Sequence, residues 1–294
     1  MSDQDKSKEK IQFVQRNYKD TIFHDLFSDK ENALSLYNAL DHTSYQDTGG
    51  LEVVTLSDAI YIHRKNDVSI LFQDHLELWE HQSTQNGNMP LRGLLYFARE
   101  IEGILAARGV DLYGSRVVKI PAPDHYVFYN GLITVPERLE LHLSDAFCVP
   151  REGYEWTAHV LNINQGYNRE LLDACPPLKG YASLIGYIRE HQREGCGLSD
   201  AVDRGIDRCI REGVLKGYLL RKKGEVKRML LTEFDEERFV RTMKEEGREE
   251  GREEEGERMG RLILRLTAEK RFRDLERAAI DRAFKEELYA RYDF

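Results

Sequence analysis

Proline vanishes from this chain after Pro177, and the 117 residues beyond it contain none. Proline removes an amide donor and clashes with the preceding helical turn, so its absence predicts a helical C-terminal half. Long apolar runs are missing as well. None approaches the ~20 residues that a membrane-spanning helix requires, which argues against a membrane partner. The opening MSDQDKSKEK lacks the apolar core of a signal peptide, so a cytoplasmic location is expected. Cysteine is sparse: Cys148, Cys175, Cys196 and Cys209 form no CxxC and have no histidine at metal-ligand spacing. They read as reduced thiols, which excludes a disulfide scaffold or a zinc ribbon.

A basic excess is also lacking. The net charge is −9, and it is unevenly spread: −8 over 1–150, +3 over 151–232, −6 over 233–258 and +2 over 259–294. Lysine and arginine supply most non-specific affinity for nucleic acid, so an acidic first half argues against unassisted polyanion binding. It suits a site that recruits divalent cations, because the metal then bridges carboxylate to phosphate. With 294 residues, 41% hydrophobic and 32% charged, the chain can form one sizeable core or two domains.

Apolar periodicity organises what is present. Tyr18–Leu40 has helical spacing at Ile22, Phe23, Leu26 and Phe27, then at Leu34, Leu36, Tyr37 and Leu40. Ser28-Asp29 can cap a second helix within it. Strands are predicted at Glu52–Leu56, Ala59–Arg64, Asp67–Phe72 and Leu76–Gln82, a helix at Pro90–Ala107, and buried strands at Val117–Ile120 and Tyr126–Tyr129. That order gives an α/β fold with a mixed sheet over 1–150. A helical region follows over 151–234, its pattern running from Leu161 to Phe234. Residues 235–260 hold a low-complexity Glu/Gly/Arg helix or linker, and 261–294 form amphipathic helices for a partner helix or a second subunit. In EEGREEGREEEGE, Glu precedes Arg by three residues at 245/248 and 249/252, a spacing that supports an exposed helix.

The chemistry concentrates in Asn66–Arg92, NDVSILFQDHLELWEHQSTQNGNMPLR. Two strands joined near Gln73–His75 place Asp67 opposite Glu80, His81 or Gln82. Alternation puts Glu80 and Gln82 on one face and His81 on the other. Facing carboxylates at Asp67 and Glu80 can hold one hard cation, for which Mg²⁺ is suited. Such a cation would activate water for phosphodiester hydrolysis, with Gln82 orienting that water through its amide.

NDVS, EHQS and NMPLR together resemble the PD-(D/E)XK nuclease superfamily, in its branch of recombination-promoting nucleases and nuclease-like transposases. KDTIFHDLFSDKENALSLYNAL resembles that branch's opening helix, FYNG a later strand, LSDAF and LNINQGYN its connecting region, and EEGREEGREEEG its tail. The resemblance implies a restriction-endonuclease-like core and a Mg²⁺-dependent DNA endonuclease linked to recombination or mobile elements. Asp67 and Glu80 would be metal ligands, together with the backbone carbonyl of His81. Gln82 would stand where the superfamily has lysine, and EHQS is the form usual in this branch. Lys19 and Asp20 would lie near the site.

Simpler readings stand beside these. Asp67 can be a strand-entry residue, Glu80 a solvated strand end, and the His81 ring a packed or surface histidine. Asn88-Met89-Pro90-Leu91-Arg92 reads either as a helix start with proline in the first turn or, through Arg92, as a phosphate contact. Ser83 has no visible base. The basic cluster Arg221, Lys222, Lys223, Lys227 and Arg228 is either a solvated face or a sequence-independent DNA contact. A rival to the nuclease reading is a catalytically weak or inactive nuclease fold kept for DNA binding or assembly. The C-terminal helices could also join copies of the chain.

Overall fold

The computed structural model describes residues 21–54 and 67–294. Lys19, Asp20 and the expected strand Ala59–Arg64 lie outside these residues. The amphipathic opening segment forms α1 (Ile22–Phe27) and α2 (Lys30–Asp41). Asp29 separates them by capping α2, its Oδ1 accepting from the amides of Glu31 at 3.1 Å and Asn32 at 3.2 Å. Strands β1 (Glu52–Val54), β2 (Asp67–Phe72) and β3 (His75–Gln82) follow, then α3 (Met89–Ala107), which begins with Pro90 in its first turn. Next come β4 (Ala122–Tyr129), β5 (Arg138–His142) and β6 (Thr157–Asn162).

The six strands form one mixed sheet in the order β1-β2-β3-β4-β6-β5. The β1–β2, β2–β3 and β5–β6 pairs are antiparallel, whereas β3–β4 and β4–β6 are parallel. The parallel β3–β4 step requires a crossover, and α3 supplies it. Its Tyr96, Phe97 and Ile101 pack on Leu76 and Leu78 of β3. The opposite face of β3 carries Trp79 and His81, which meet Phe27 and Phe23 of α1. β3 is therefore buried on both sides, every residue from Leu76 to Gln82 included.

Helices α4 (Arg169–Ala174), α5 (Pro176–Arg193), α6 (Leu198–Glu212), α7 (Lys216–Ala268), α8 (Phe272–Ile280) and α9 (Arg282–Tyr292) complete the described chain. It divides into two compact units, one ending at Glu233 and one of Phe234–Phe294. The first continues past residue 150, where the sequence reading ends its nuclease-like domain, because β6 belongs to the sheet. The expected helical region therefore begins with a strand and becomes helical only at Arg169. Within the second unit, Leu262 and Leu266 of α7, Ala278 of α8, and Leu288 and Tyr289 of α9 form a core of their own. The amphipathic faces expected to dock on a partner helix or a second subunit thus find partner helices in the same chain. The Glu/Gly/Arg segment, expected as a helix or linker, is helical and lies within α7.

One expected strand does not form. Val117–Ile120 is an exposed loop, with Val117 at 83% and Ile120 at 47% exposure. The sheet position beside β3 is taken from Ala122 onward, whose amide donates to the Asp74 carbonyl at 2.8 Å. The apolar run before Pro121 has no strand to pair with. No helix among the described residues is long and apolar enough to cross a membrane.

Candidate active site on the β2–β3 hairpin

The hairpin turns through Gln73 and Asp74, both left-handed at φ 50° and 61°. A two-residue turn with two positive φ angles matches the twist of the flanking strands and fixes their register. Phe72 pairs with His75 and, five steps further, Asp67 pairs with Glu80. That is one of the three pairings open from sequence. Gln82 O accepts from Asn130 N at 3.1 Å, as Asp74 O does from Ala122 N. The even-numbered backbone groups of β3 therefore face β4, and the odd-numbered ones face β2. Two consequences follow. Asp67 and Glu80 form a non-hydrogen-bonded pair, the kind whose Cα atoms approach to ~4.5 Å. The His81 carbonyl is directed to the β2 side, next to position 67.

Glu80 points to the α3 face and is wholly buried. Its Oε2 lies 2.9 Å from Arg92 Nη2 and its Oε1 lies 3.3 Å from His125 Nε2. Trp156 Nε1 donates to His125 Nδ1 at 3.2 Å. With Nδ1 occupied as an acceptor, the ring proton sits on Nε2, the nitrogen facing Glu80. Arg92 also donates to the Tyr96 hydroxyl at 3.1 Å. Gly93 makes this convergence possible. A Cβ there would fall 2.2 Å from His125 Nδ1 and 2.7 Å from Trp156 Nε1, so any other residue would push α3 off the pair. Gln82 is buried two residues along the same face. Glu80 is therefore not the solvated strand end of the simpler sequence reading.

The other face of β3 is built differently. The His81 ring stacks on Phe23 at 5.8 Å and its Nε2 is 2.9 Å from the Tyr181 hydroxyl, which also accepts from Asn130 Nδ2 at 3.3 Å. Burial, opposed by the interaction with the Asn130 side chain and reinforced by the charge of Arg189, pushes this imidazole down to about 4. It is a packed, neutral histidine. Glu77 is wholly buried, with Oε2 accepting from Trp79 Nε1 at 2.7 Å and Oε1 lacking a hydrogen bond. Burial above all, with the negative charges of Asp41 and Asp124, raises its carboxyl well above the usual range, although the Trp79 bond opposes this.

The basic cluster of α7 is largely committed within the protein. Lys222 reaches Asp25 at 2.7 Å, Lys223 pairs with Asp207, and Lys227 meets Asp203 at 2.6 Å. This favours the structural reading over a DNA-contacting one. A cavity of about 810 Å³ opens on the His81 side of the sheet, lined by His42, Tyr126, Arg138 and His159 among others. No residue of the hairpin lines it, so it is separate from Glu80.

Sequence reasoning missed His125, Trp156 and Gly93. His125 enters through the parallel β3–β4 register, which sets it beside Leu78. No local pattern announces that pairing. Gly93 did leave a signal, since an isolated glycine inside an apolar helical pattern often marks close packing.

Among the described residues no group of three His, Cys, Asp or Glu side chains gathers to hold a metal. The described donors that could serve are hard oxygens, the Glu80 carboxylate and the His81 carbonyl, beside the backbone position of Asp67. This set fits Mg²⁺ better than a soft metal. The buried Glu80 carboxylate already draws a cation, the Arg92 guanidinium, to its Oε2. No family model matches the chain, and neither a curated protein nor a solved structure matches it significantly.

Proposed function

We propose that this chain is a Mg²⁺-dependent DNA endonuclease, acting in recombination or mobile elements, with its site where β2 and β3 run side by side under α3. One observation carries the reading: the Asp67–Glu80 non-hydrogen-bonded pair, flanked by the His81 carbonyl on the β2 side and by Gln82 on the face of Glu80. The sequence resemblance assigns roles to the same four residues. A cation bound there would supply an acidified water and offset charge on the phosphoryl oxygens. The remaining work falls to the chain. Glu80 offers a carboxylate fixed on a rigid strand. Gln82 orients the attacking water but, lacking a charge, stabilises the developing anion less than a lysine would. Arg92, at the start of α3, supplies a planar fork suited to a phosphate. Because the first 150 residues are net acidic, DNA affinity should itself depend on the cation.

The test is nicking of supercoiled plasmid in Mg²⁺ by the purified protein and by Asp67→Ala. Cutting by the parent and its loss in the variant support the proposal. Equal cutting by both removes these residues from the mechanism. A second reading, an inactive nuclease fold that binds DNA, draws support from the closure of Glu80 by Arg92 and His125. Salt-dependent DNA binding without cleavage under any divalent metal would decide for it.

A further inference from the structure

We infer that Arg92 is a displaceable lock on Glu80. It serves as the carboxylate's resident counter-cation and yields Oε2, not Oε1, when a hard divalent cation enters. This rests on the cation site proposed above and adds its regulation. A wholly buried carboxylate cannot stay charged alone, so a positive group must face it whenever it is ionised. The two oxygens are held unequally. On the Oε1 side, His125 is 2% exposed, its tautomer is pinned by Trp156, and the α3 backbone at Gly93 blocks its retreat. That side is built to stay.

The Oε2 side is built to move. The Arg92 side chain is 19% exposed and hangs from the first turn of α3. It already has other acceptors, the Tyr96 hydroxyl at 3.1 Å and Met89 Sδ at 3.6 Å, on the residues one helical turn to either side. A guanidinium leaving Oε2 keeps a hydrogen bond and turns its remaining donors outward, where a phosphodiester can take them. Cation entry and phosphate capture are thereby one exchange: the metal replaces the guanidinium on Glu80, and the phosphate replaces Glu80 on the guanidinium. Without metal, Arg92 keeps the carboxylate neutralised and withholds both ligand and phosphate fork.

A locked state that must open first weakens apparent cation affinity by the fraction already open, and minor states are typically populated at ~10% or less. Arg92→Gln should therefore bind Mn²⁺ at least about tenfold more tightly than the parent, read by electron paramagnetic resonance of the full-length chain without DNA. The same variant should melt at lower temperature without metal and regain the loss in Mn²⁺. Arg92→Lys, which keeps a charge but loses the fork, should fall between them and serves as the folded control. Glu80→Gln should abolish Mn²⁺ binding in either background. Equal Mn²⁺ affinity in the parent, Arg92→Lys and Arg92→Gln would overturn the lock while leaving the cation site standing. Mn²⁺ binding to none of them would overturn the cation site and the lock together. Tighter binding in Arg92→Gln with plasmid left uncut by the parent would uphold the lock and remove the nuclease reading.

Discussion

Glu77 and Glu80 lie three residues apart on one strand, both without solvent exposure, on opposite faces of the sheet. Toward α3, Glu80 meets a guanidinium and an imidazole N–H, so its charge is answered. Toward α1 and α2, Glu77 meets one indole N–H and the negative field of Asp41 and Asp124, so its charge is opposed. His81, on the Glu77 face, is likewise held neutral. Burial alone thus does not mark a functional carboxylate. What separates the two is the charge each faces, a guanidinium at Glu80 and the carboxylates of Asp41 and Asp124 at Glu77.

Mutations can break this contrast. The largest effect should come from Glu80→Ala, which removes the carboxylate facing Arg92 and His125 and opens a void. A loss of about 3 kcal/mol in urea unfolding is expected, at the lower end for buried pairs because Arg92 is partly exposed. A loss under 1 kcal/mol would mean that the pair is not formed in solution. His81 should sharpen the other side. Its folded pKa of about 4 lies below the ordinary 6.5, so between those values the unfolded chain binds more protons than the folded one. Stability should therefore fall as pH drops through that window, by about 2–3 kcal/mol from this group. His81→Gln should flatten the slope relative to the parent. An unchanged slope would show that the ring is charged or exposed in solution.

Gly93→Ala should cost about 2 kcal/mol by overpacking α3 against His125 and Trp156. It should disturb the Glu80 face while leaving the His81 slope intact. The smallest effect, and the only gain, is expected from Glu77→Gln. Its carboxyl is raised in the fold, so the penalty it removes is absent near pH 4 and grows as pH rises. A stabilisation of about 1 kcal/mol at pH 8 is expected by thermal unfolding. A loss at pH 8 would show that the ionised carboxylate has a partner.

Local signals carried the hairpin and α3, because alternation and a proline in a first helical turn act over a few residues, but they left three registers open until the two-residue turn chose one. The mixed α/β sheet followed from their order. The edge of the sheet was not legible. β5 and β6 lie in Arg138–His142, where no element was predicted, and Thr157–Asn162, placed in a helical region, and only the pairing of β6 with β4 and of β5 with β6 makes them strands. Val117–Ile120 failed conversely, as an apolar run that finds no neighbour. For the candidate site, the strand residues were visible, but what surrounds Glu80 was not. Arg92 was named as a helix start or a phosphate contact, and its hold on Glu80 depends on how the α3 crossover lies on the sheet. His125 and Trp156 arrive from β4 and the edge of β6, beyond the reach of any local pattern.

The full burial of β3 sets a timescale for the chemistry above it. A strand paired on both edges and covered on both faces opens only with the global unfolding of its unit, so its amides should be among the last to exchange with deuterium. Rotamer changes in a partly exposed arginine take picoseconds to nanoseconds. The backbone beneath Glu80 therefore stays fixed on the timescale over which the arginine above it samples its alternatives. Any exchange of partners at Glu80 is then a matter of side chains moving over a fixed sheet.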